Sequence, residues 1–273
     1  MTTYRTQQAL IAMIQRVQSP RGRRRAGLFS IEGTRLVERA LRSGSPLETV
    51  LVSAGLAHSG EPLTQQLLDE LRSAGCEIAI APDERLRELT EGRDLGLMIG
   101  LVRLPPPLAL SDILNGGDVL DRPPLLLGAV DIVDPGNVGA LVRTAHASGA
   151  AAMLAVSASD PYHPRATRIS RGSIFRLPIV AYDTADALLD ELRRHGIAAA
   201  GTAARGGLPL PEVVWPRSGT AILMGNEAEG LPAAVQVALD FTITIPMPTT
   251  VDSYSVNAAA AVILYTAAQA RRL

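Results

Sequence analysis

There is no lysine in this 273-residue chain, so all 26 basic residues are arginine. That absence excludes a Walker-type phosphate-binding lysine and any mechanism that runs through a lysine Schiff base. Cys76 is the single cysteine, which excludes an internal disulfide and a multi-cysteine metal site. His58, His146, His163 and His195 show no metal-ligand spacing, and no metal is expected. Neither a G-x-S-x-G serine elbow nor a CxxC pair is present. Catalytic chemistry is therefore left to arginine, asparagine, serine, carboxylates and backbone groups. No apolar run approaches the roughly 18 residues that cross a bilayer. The N-terminus also lacks the apolar stretch and cleavage site of a signal peptide. A cytoplasmic location with no membrane partner is the expectation.

What is present is mostly core-forming. Hydrophobic residues make up 47% of the chain and charged residues 19%, a balance that supports a sizeable core and excludes wholesale disorder. The net charge of −1 conceals an asymmetry. Residues 1–45 hold nine arginines against Glu32 and Glu38, an excess of seven positive charges. Arginine's planar fork binds phosphate in bidentate fashion, so this block points to a polyanionic partner. On charge alone a solvated helix face is an equal reading. The run Arg21, Arg23, Arg24 and Arg25, expected in a turn, favours nucleic acid and supplies the candidate RNA-binding residues.

Two halves flank a Pro- and Gly-rich stretch. Leu104-Pro-Pro-Pro-Leu108 and Asp121-Arg-Pro-Pro124 bracket Asn115-Gly-Gly117, which reads as a linker over 105–124. Residues 1–104 alternate helical spacings (5–17, 34–43, 62–74) with short apolar runs (28–31, 47–52, 77–81, 96–103), the pattern of a small α/β domain. In residues 125–273 apolar strands at 125–130, 151–156, 197–201, 220–224 and 241–245 are separated by helical segments. A last helix is expected over 253–271. Continuous apolar strands between helices mean a mostly parallel sheet covered on both faces. Ligands of such sheets sit beyond the carboxyl ends of the strands, so the loops after 130, 224 and 245 are where function is sought.

In the first of these loops Pro135 and Gly136 force a turn, and Asn137 is placed to cap a helix starting at Val138. Gly139 permits close approach, and Arg143 follows on the same helix. The residues fit a capped helix with a surface arginine, and equally an anion site at a helix start. The second loop, Gly225-Asn-Glu-Ala-Glu-Gly230, carries Glu227 and Glu229 between two glycines at a strand end. The third runs from Ile245 through Pro246, Met247 and Pro248 to Asn257. Its prolines stop the strand and leave main-chain groups outside any ladder, beside apolar side chains that suit a flat heterocycle such as adenine. Ser253 is a candidate cap for the last helix.

Taken in this order near the C-terminus, the three loops resemble the motifs of the SpoU (TrmH-like) RNA 2′-O-ribose methyltransferases of the SPOUT class. The resemblance covers residues 125–273. Residues 1–104 are similar to the accessory substrate-binding domain of that family, with Phe29-Ser-Ile-Glu-Gly33 as its signature. Arg168-Ile-Ser-Arg-Gly-Ser173 resembles the polar segment between the first and second motifs.

The resemblance implies a C-terminal parallel-sheet α/β domain with a trefoil knot, a rare exception to unknotted topology. It also implies S-adenosyl-L-methionine as cofactor, held by Leu223, Gly225, Ile245, Met247 and Tyr254. Asn137, Arg143 and Glu227 are implied as the catalytic polar set. The implied partners are structured RNA, ribosomal in preference to transfer RNA, and a second copy of the chain whose cofactor site faces the first motif. One departure stands out: the third motif of the family reads Ser-Leu-Asn-Val-Ser, whereas here it is Ser253-Tyr-Ser-Val-Asn257. Serine and asparagine have exchanged places, and this feeds the alternative of a non-catalytic RNA-binding or ribosome-assembly protein of the same fold.

Overall fold

The computed structural model describes residues 7–93, 96–116 and 122–270. The middle of the expected linker at 117–121, the start of the expected first helix at 5–6 and the Arg271 end of the last one lie outside these residues. The chain divides into two compact units, Met1–Pro105 with Tyr162–Phe175, and Pro106–Pro161 with Arg176–Leu273.

The first unit opens with helices α1 (Gln7–Arg16) and α2 (Pro20–Ala26), followed by β1 (Leu28–Glu32), α3 (Thr34–Arg42) and β2 (Leu47–Ser53). Helices α4 (Ala54–Ala57) and α5 (Pro62–Ser73), β3 (Glu77–Ala81), α6 (Asp83–Leu89) and β4 (Met98–Arg103) complete its N-terminal part. The strands form a mixed sheet in the order β1-β4-β2-β3, in which only the β2–β3 pair is parallel. Strand side chains alternate between two cores, as period-two geometry requires. Phe29, Ile31, Val50 and Val52 pack on one face with Val37 and Leu71, whereas Leu28, Leu51, Ile99 and Leu101 pack on the other with Leu10 and Ile14.

The turn expected at 21–25 is instead the helix α2. Pro20 stands in its first turn, and Ser19 caps it by accepting from Gly22 N at 3.1 Å. A Cβ on Gly22 would collide with the carbonyl of Arg16, so the α1–α2 corner requires glycine there.

The second unit runs α7 (Leu110–Asn115), β5 (Leu125–Val130), α8 (Pro135–Ala147) and β6 (Ala152–Val156). Helix α9 (Pro164–Ile169) then belongs to the first unit, which sequence patterning gave no means of anticipating. Strand β7 (Ile179–Tyr182), α10 (Ala185–Arg194), β8 (Ala198–Thr202), β9 (Leu208–Pro209) and β10 (Thr220–Met224) follow, then α11 (Ala233–Val237), β11 (Phe241–Thr244) and α12 (Val256–Ala270). All strand pairs of this sheet are parallel, in the order β7-β6-β5-β10-β8-β11-β9. Leu188, Leu189 and Leu192 of α10 cover one core, and α8 packs on α12 and against β5 and β6. Burial on both faces explains why β5, β6 and, after Thr220, β10 are apolar.

Candidate functional site

A cavity of about 620 Å³ opens where β8, β10 and β11 end. That size is in the range of small-molecule sites. Its floor is Met224 and Ile243, its walls are the 225–230 loop and Ile245 with Met247, and Ser253, Tyr254 and Ser255 close it on the side of α12. Gly225 has no room for a side chain, because a Cβ there would lie 2.5 Å from Gly230 O. The chain doubles back at this point. Asn226 and Gly230 exchange main-chain hydrogen bonds of 3.1 and 2.8 Å, and Gly230 adopts a left-handed φ of 72°. The Asn226 side-chain oxygen accepts from the amides of Ala228 (2.9 Å) and Glu229 (3.4 Å), while its Nδ2 donates to Asp131 O at 3.2 Å. Asn226 thus holds the second loop to the first. Sequence reasoning passed over it in favour of the glutamates, although an asparagine after a strand-terminal glycine is a known turn former.

Asn137 does not cap its helix. The cap is Asp134, whose carboxylate accepts from Asn137 N at 2.9 Å, and α8 starts at Pro135 rather than Val138. The Asn137 side-chain amide is therefore free of capping and turns to other groups. Its Nδ2 donates to Glu227 Oε1, and its Oδ1 accepts from Asn257 Nδ2 at 3.0 Å. The three expected motifs therefore meet in a single hydrogen-bonded row, Asn257 to Asn137 to Glu227. Ser253 likewise is not the cap of the last helix. Helix α12 begins at Val256, and Ser255 Oγ accepts from Ala258 N at 3.3 Å.

Gly225, Ile245, Met247, Tyr254 and Glu227 line the cavity, whereas the Leu223 side chain is buried in the sheet over Gly128. Leu223 contributes only its carbonyl, which accepts from Thr202 Oγ1 at 3.1 Å beside the cavity. Thr202 and Ala203 at the end of β8 are further lining residues that sequence reasoning missed. Arg205, just beyond them, donates to Val251 O at 2.8 Å and braces the third loop. Nothing in the sequence around Arg205 signals this role.

Arg143 is exposed on α8 and does not line the cavity. At 3.6 residues per turn, six positions carry it about 120° around the helix from Asn137, so the two side chains do not share a face. In the first unit Arg21, Arg24 and Arg25 are exposed, but Arg23 is only 2% exposed. Its guanidinium donates to Val17 O at 2.8 Å and Gln18 O at 2.9 Å, closing the α1–α2 corner. Arg23 cannot reach a ligand without opening that corner. Among the described residues no group of three or more His, Cys, Asp or Glu is placed to hold a metal ion, and no helix is long and apolar enough to cross a membrane.

Residues 9–93 match the MRM3-like substrate binding domain. The chain is 32% identical to a 23S rRNA (uridine(2479)-2′-O)-methyltransferase of Streptomyces viridochromogenes, over 91% of this chain and 85% of that one. It is 28% identical to the 23S rRNA (guanosine(2553)-2′-O)-methyltransferase RlmP of Bacillus subtilis, over 92% of each. The crystal structure of the SpoU methyltransferase AviRb from Streptomyces viridochromogenes in complex with the cofactor AdoMet superposes with a TM-score of 0.85 at 28% identity, covering 97% of this chain and 98% of that one. With residues 124–265 matching the SpoU rRNA Methylase family, the chain belongs to that family.

Proposed function

We propose that this protein is an S-adenosylmethionine-dependent methyltransferase that methylates a ribose 2′-hydroxyl of 23S ribosomal RNA. The row Asn257–Asn137–Glu227 at the mouth of the cavity is the observation that carries the reading. A structural turn needs no such chain of amides ending on an exposed carboxylate. The cavity fits the cofactor: Ile243, Ile245 and Met247 offer an apolar face to a flat base, and Gly225 and Gly230, which have no side chains, line it beside them. When bound there, S-adenosylmethionine supplies an electrophilic methyl group.

The residues of the chain act on the nucleophile. A 2′-hydroxyl is weak until it is positioned and relieved of its proton. Asn137 engages Glu227 Oε1, and Oε2 has no hydrogen-bond partner among the described residues, so that oxygen is available to take the proton directly or through water. Arginine is protonated under all working conditions, which makes Arg143 a phosphate clamp and a stabiliser of alkoxide charge rather than a base. Its place off the Asn137 face of α8 supports action on the cavity of a partner subunit in a homodimer.

The same reading includes an RNA-binding domain over 1–104, a linker over 105–124 and a knotted methyltransferase domain over 125–273. It also includes a cytoplasmic location and an RNA surface that takes in Arg21, Arg24 and Arg25 but omits Arg23. The test is to map 2′-O-methyl positions in ribosomal RNA from cells with and without the protein, then to restore the missing mark with purified protein and S-adenosylmethionine. An unchanged methylation map, with RNA binding retained, would favour the assembly-protein alternative that the exchanged third motif raises.

A further inference from the structure

Two segments singled out in the sequence, Phe29-Ser-Ile-Glu-Gly33 and Arg168-Ile-Ser-Arg-Gly-Ser173, are not among the residues that line the first cavity, and both belong to the first unit. They meet around a cavity of about 370 Å³ at the start of α3, lined by Glu32, Gly33, Arg35, Arg39, Arg168 and Arg171 among others. We infer that this cavity is an anion subsite that seats a phosphodiester of the substrate RNA. The inference rests on the RNA-methyltransferase reading for the identity of the ligand.

The charge is one-sided, with four arginines lining the cavity against the single carboxylate of Glu32. That carboxylate is 3% exposed and already engaged twice, accepting from Arg168 Nη1 at 2.7 Å and from Arg93 Nη2 at 3.1 Å. A buried carboxylate held by two guanidiniums fixes their orientation and has little charge left to repel an incoming anion. Among the described residues no carboxylate pairs with Arg35, Arg39 or Arg171. Arg39 Nη1 donates to the Arg171 carbonyl, so these two arginines are held beside each other. That contact depends on glycine. Gly172 has a φ of 86°, and a Cβ there would sit 2.9 Å from Arg39 Cδ. Helix α3 follows Gly33, which offers no side-chain cap, so the positive end of its dipole adds to the same field.

This assembly differs from the exposed arginines of α2. Arg35, Arg39 and Arg171 are exposed as well, but together with Arg168 they line a single concavity whose one carboxylate, Glu32, is already paired. Several arginines around one cavity suit the tetrahedral oxygens of a phosphate. The cavity also exceeds one phosphate group, leaving room for an adjoining ribose.

The test uses the full-length protein and a protein-free 23S rRNA transcript, with affinity measured by filter binding across a salt series. The double variant Arg35→Ala/Arg171→Ala removes two exposed guanidiniums that make no ion pair or side-chain hydrogen bond among the described residues. Arg35→Glu is a second, independent variant. Affinity should fall about tenfold near ~0.1 M salt, and the log–log salt slope should become shallower by about one to two. S-adenosylhomocysteine affinity and the thermal melt should not change. Arg72→Ala, which removes an exposed arginine paired with Asp69, should bind RNA like the wild type. Unchanged RNA affinity and slope in both variants would overturn the inference. So would a melt raised by inorganic phosphate in the wild type only, with RNA binding unaffected, since the cavity would then serve a free anion. Loss of RNA affinity in the variants alongside a wild type that transfers no methyl group to rRNA would refute the methyltransferase reading and leave the subsite standing.

Discussion

Asn257 Nδ2 donates to Asn137 Oδ1 at 3.0 Å across 120 positions of sequence, and this bond sets which way the Asn137 amide points. With its oxygen committed to Asn257, Asn137 has only its NH2 to present to Glu227. The exchange of serine and asparagine in the third motif thus places an amide donor where Asn137 needs one. Asn257→Ala should lower single-turnover methylation about tenfold, the scale of one oriented hydrogen bond near 1.4 kcal/mol, with cofactor affinity retained. Asn257→Asp should be worse than alanine, because an acceptor there turns the Asn137 amide around and sets its oxygen against the Glu227 carboxylate. An aspartate variant as active as the alanine one would show that Asn257 does not orient Asn137.

Arg143→Ala should abolish methyl transfer, by about 10²–10³-fold or more, and spare both the fold and the affinity for S-adenosylhomocysteine. Arg143→Lys should not restore activity, since an ammonium lacks the planar fork. Action across a dimer gives a sharper readout. Co-expressing Arg143→Ala with Met247→Arg, which blocks the cavity, should regenerate activity in mixed dimers although each variant alone is dead. Failure to complement, with mixed dimers demonstrated by mass, would place Arg143 in its own subunit's reaction or outside it.

Much of this was legible in the sequence because buried parallel strands leave an unmistakable record. The strands at 125–130, 151–156 and 220–224 are apolar on both faces, and the structure places them within a residue of the expected positions. The cavity loops were found for the same reason, since strand ends locate them. What escaped was whatever depends on side-chain partners distant in sequence. Asp134 and Asn137 are both competent caps, and only the observed bond from Asn137 N to Asp134 decides between them. Leu223 shares a motif with Gly225, yet a residue in mid-strand points into the core, over Gly128, rather than into the cavity. The placement of Tyr162–Phe175 with the first unit, where Tyr162 and Phe175 flank Phe29 at ring separations of 5.1 and 6.5 Å, has no local signature at all.

Gly225→Ala should cost cofactor binding more than stability. The added methyl meets the main chain of Gly230 and Leu231, which cannot swing away as a side chain does, so the 225–230 loop must shift. Calorimetry should show S-adenosylhomocysteine affinity reduced at least about tenfold, because the wall of the cavity moves. The melting temperature should drop only a few degrees, as the loop is exposed. Wild-type affinity in this variant would mean that the cofactor does not rest on that wall.

Cys76 should be inert to thiol reagents in the folded protein. Burial, reinforced by the neighbouring Glu77 carboxylate, pushes its thiol up to about 12, so almost no thiolate exists at pH 8. Ellman's reagent should therefore react only on denaturation. The folded thiol keeps its proton while the unfolded one loses it near the ordinary value of 9.0, so stability should fall as pH rises above that value. Rapid labelling at pH 8 under native conditions would contradict the burial.

The arginines of α2 should separate into two classes, although four of the seven residues in Pro20–Ala26 are arginine. Arg23 spends its guanidinium on the carbonyls of Val17 and Gln18, the first of them in a buried bond. Truncating it leaves those acceptors unsatisfied and opens the α1–α2 corner. Arg23→Ala should thus lower unfolding free energy by about 2 kcal/mol, within the range for charge-assisted bonds, as read from urea denaturation. Arg21, Arg24 and Arg25 are exposed, and alanine is at least as good a helix former. Their triple alanine variant should melt like the wild type. Its affinity for ribosomal RNA should still fall, and its salt dependence should flatten, because each lost arginine releases fewer condensed counterions from the RNA. Two protein variants and two assays then give opposite patterns, stability lost in one and RNA affinity in the other. If the triple variant binds RNA with unaltered affinity and salt slope, the basic surface of α2 is solvated and the RNA lies elsewhere on the domain.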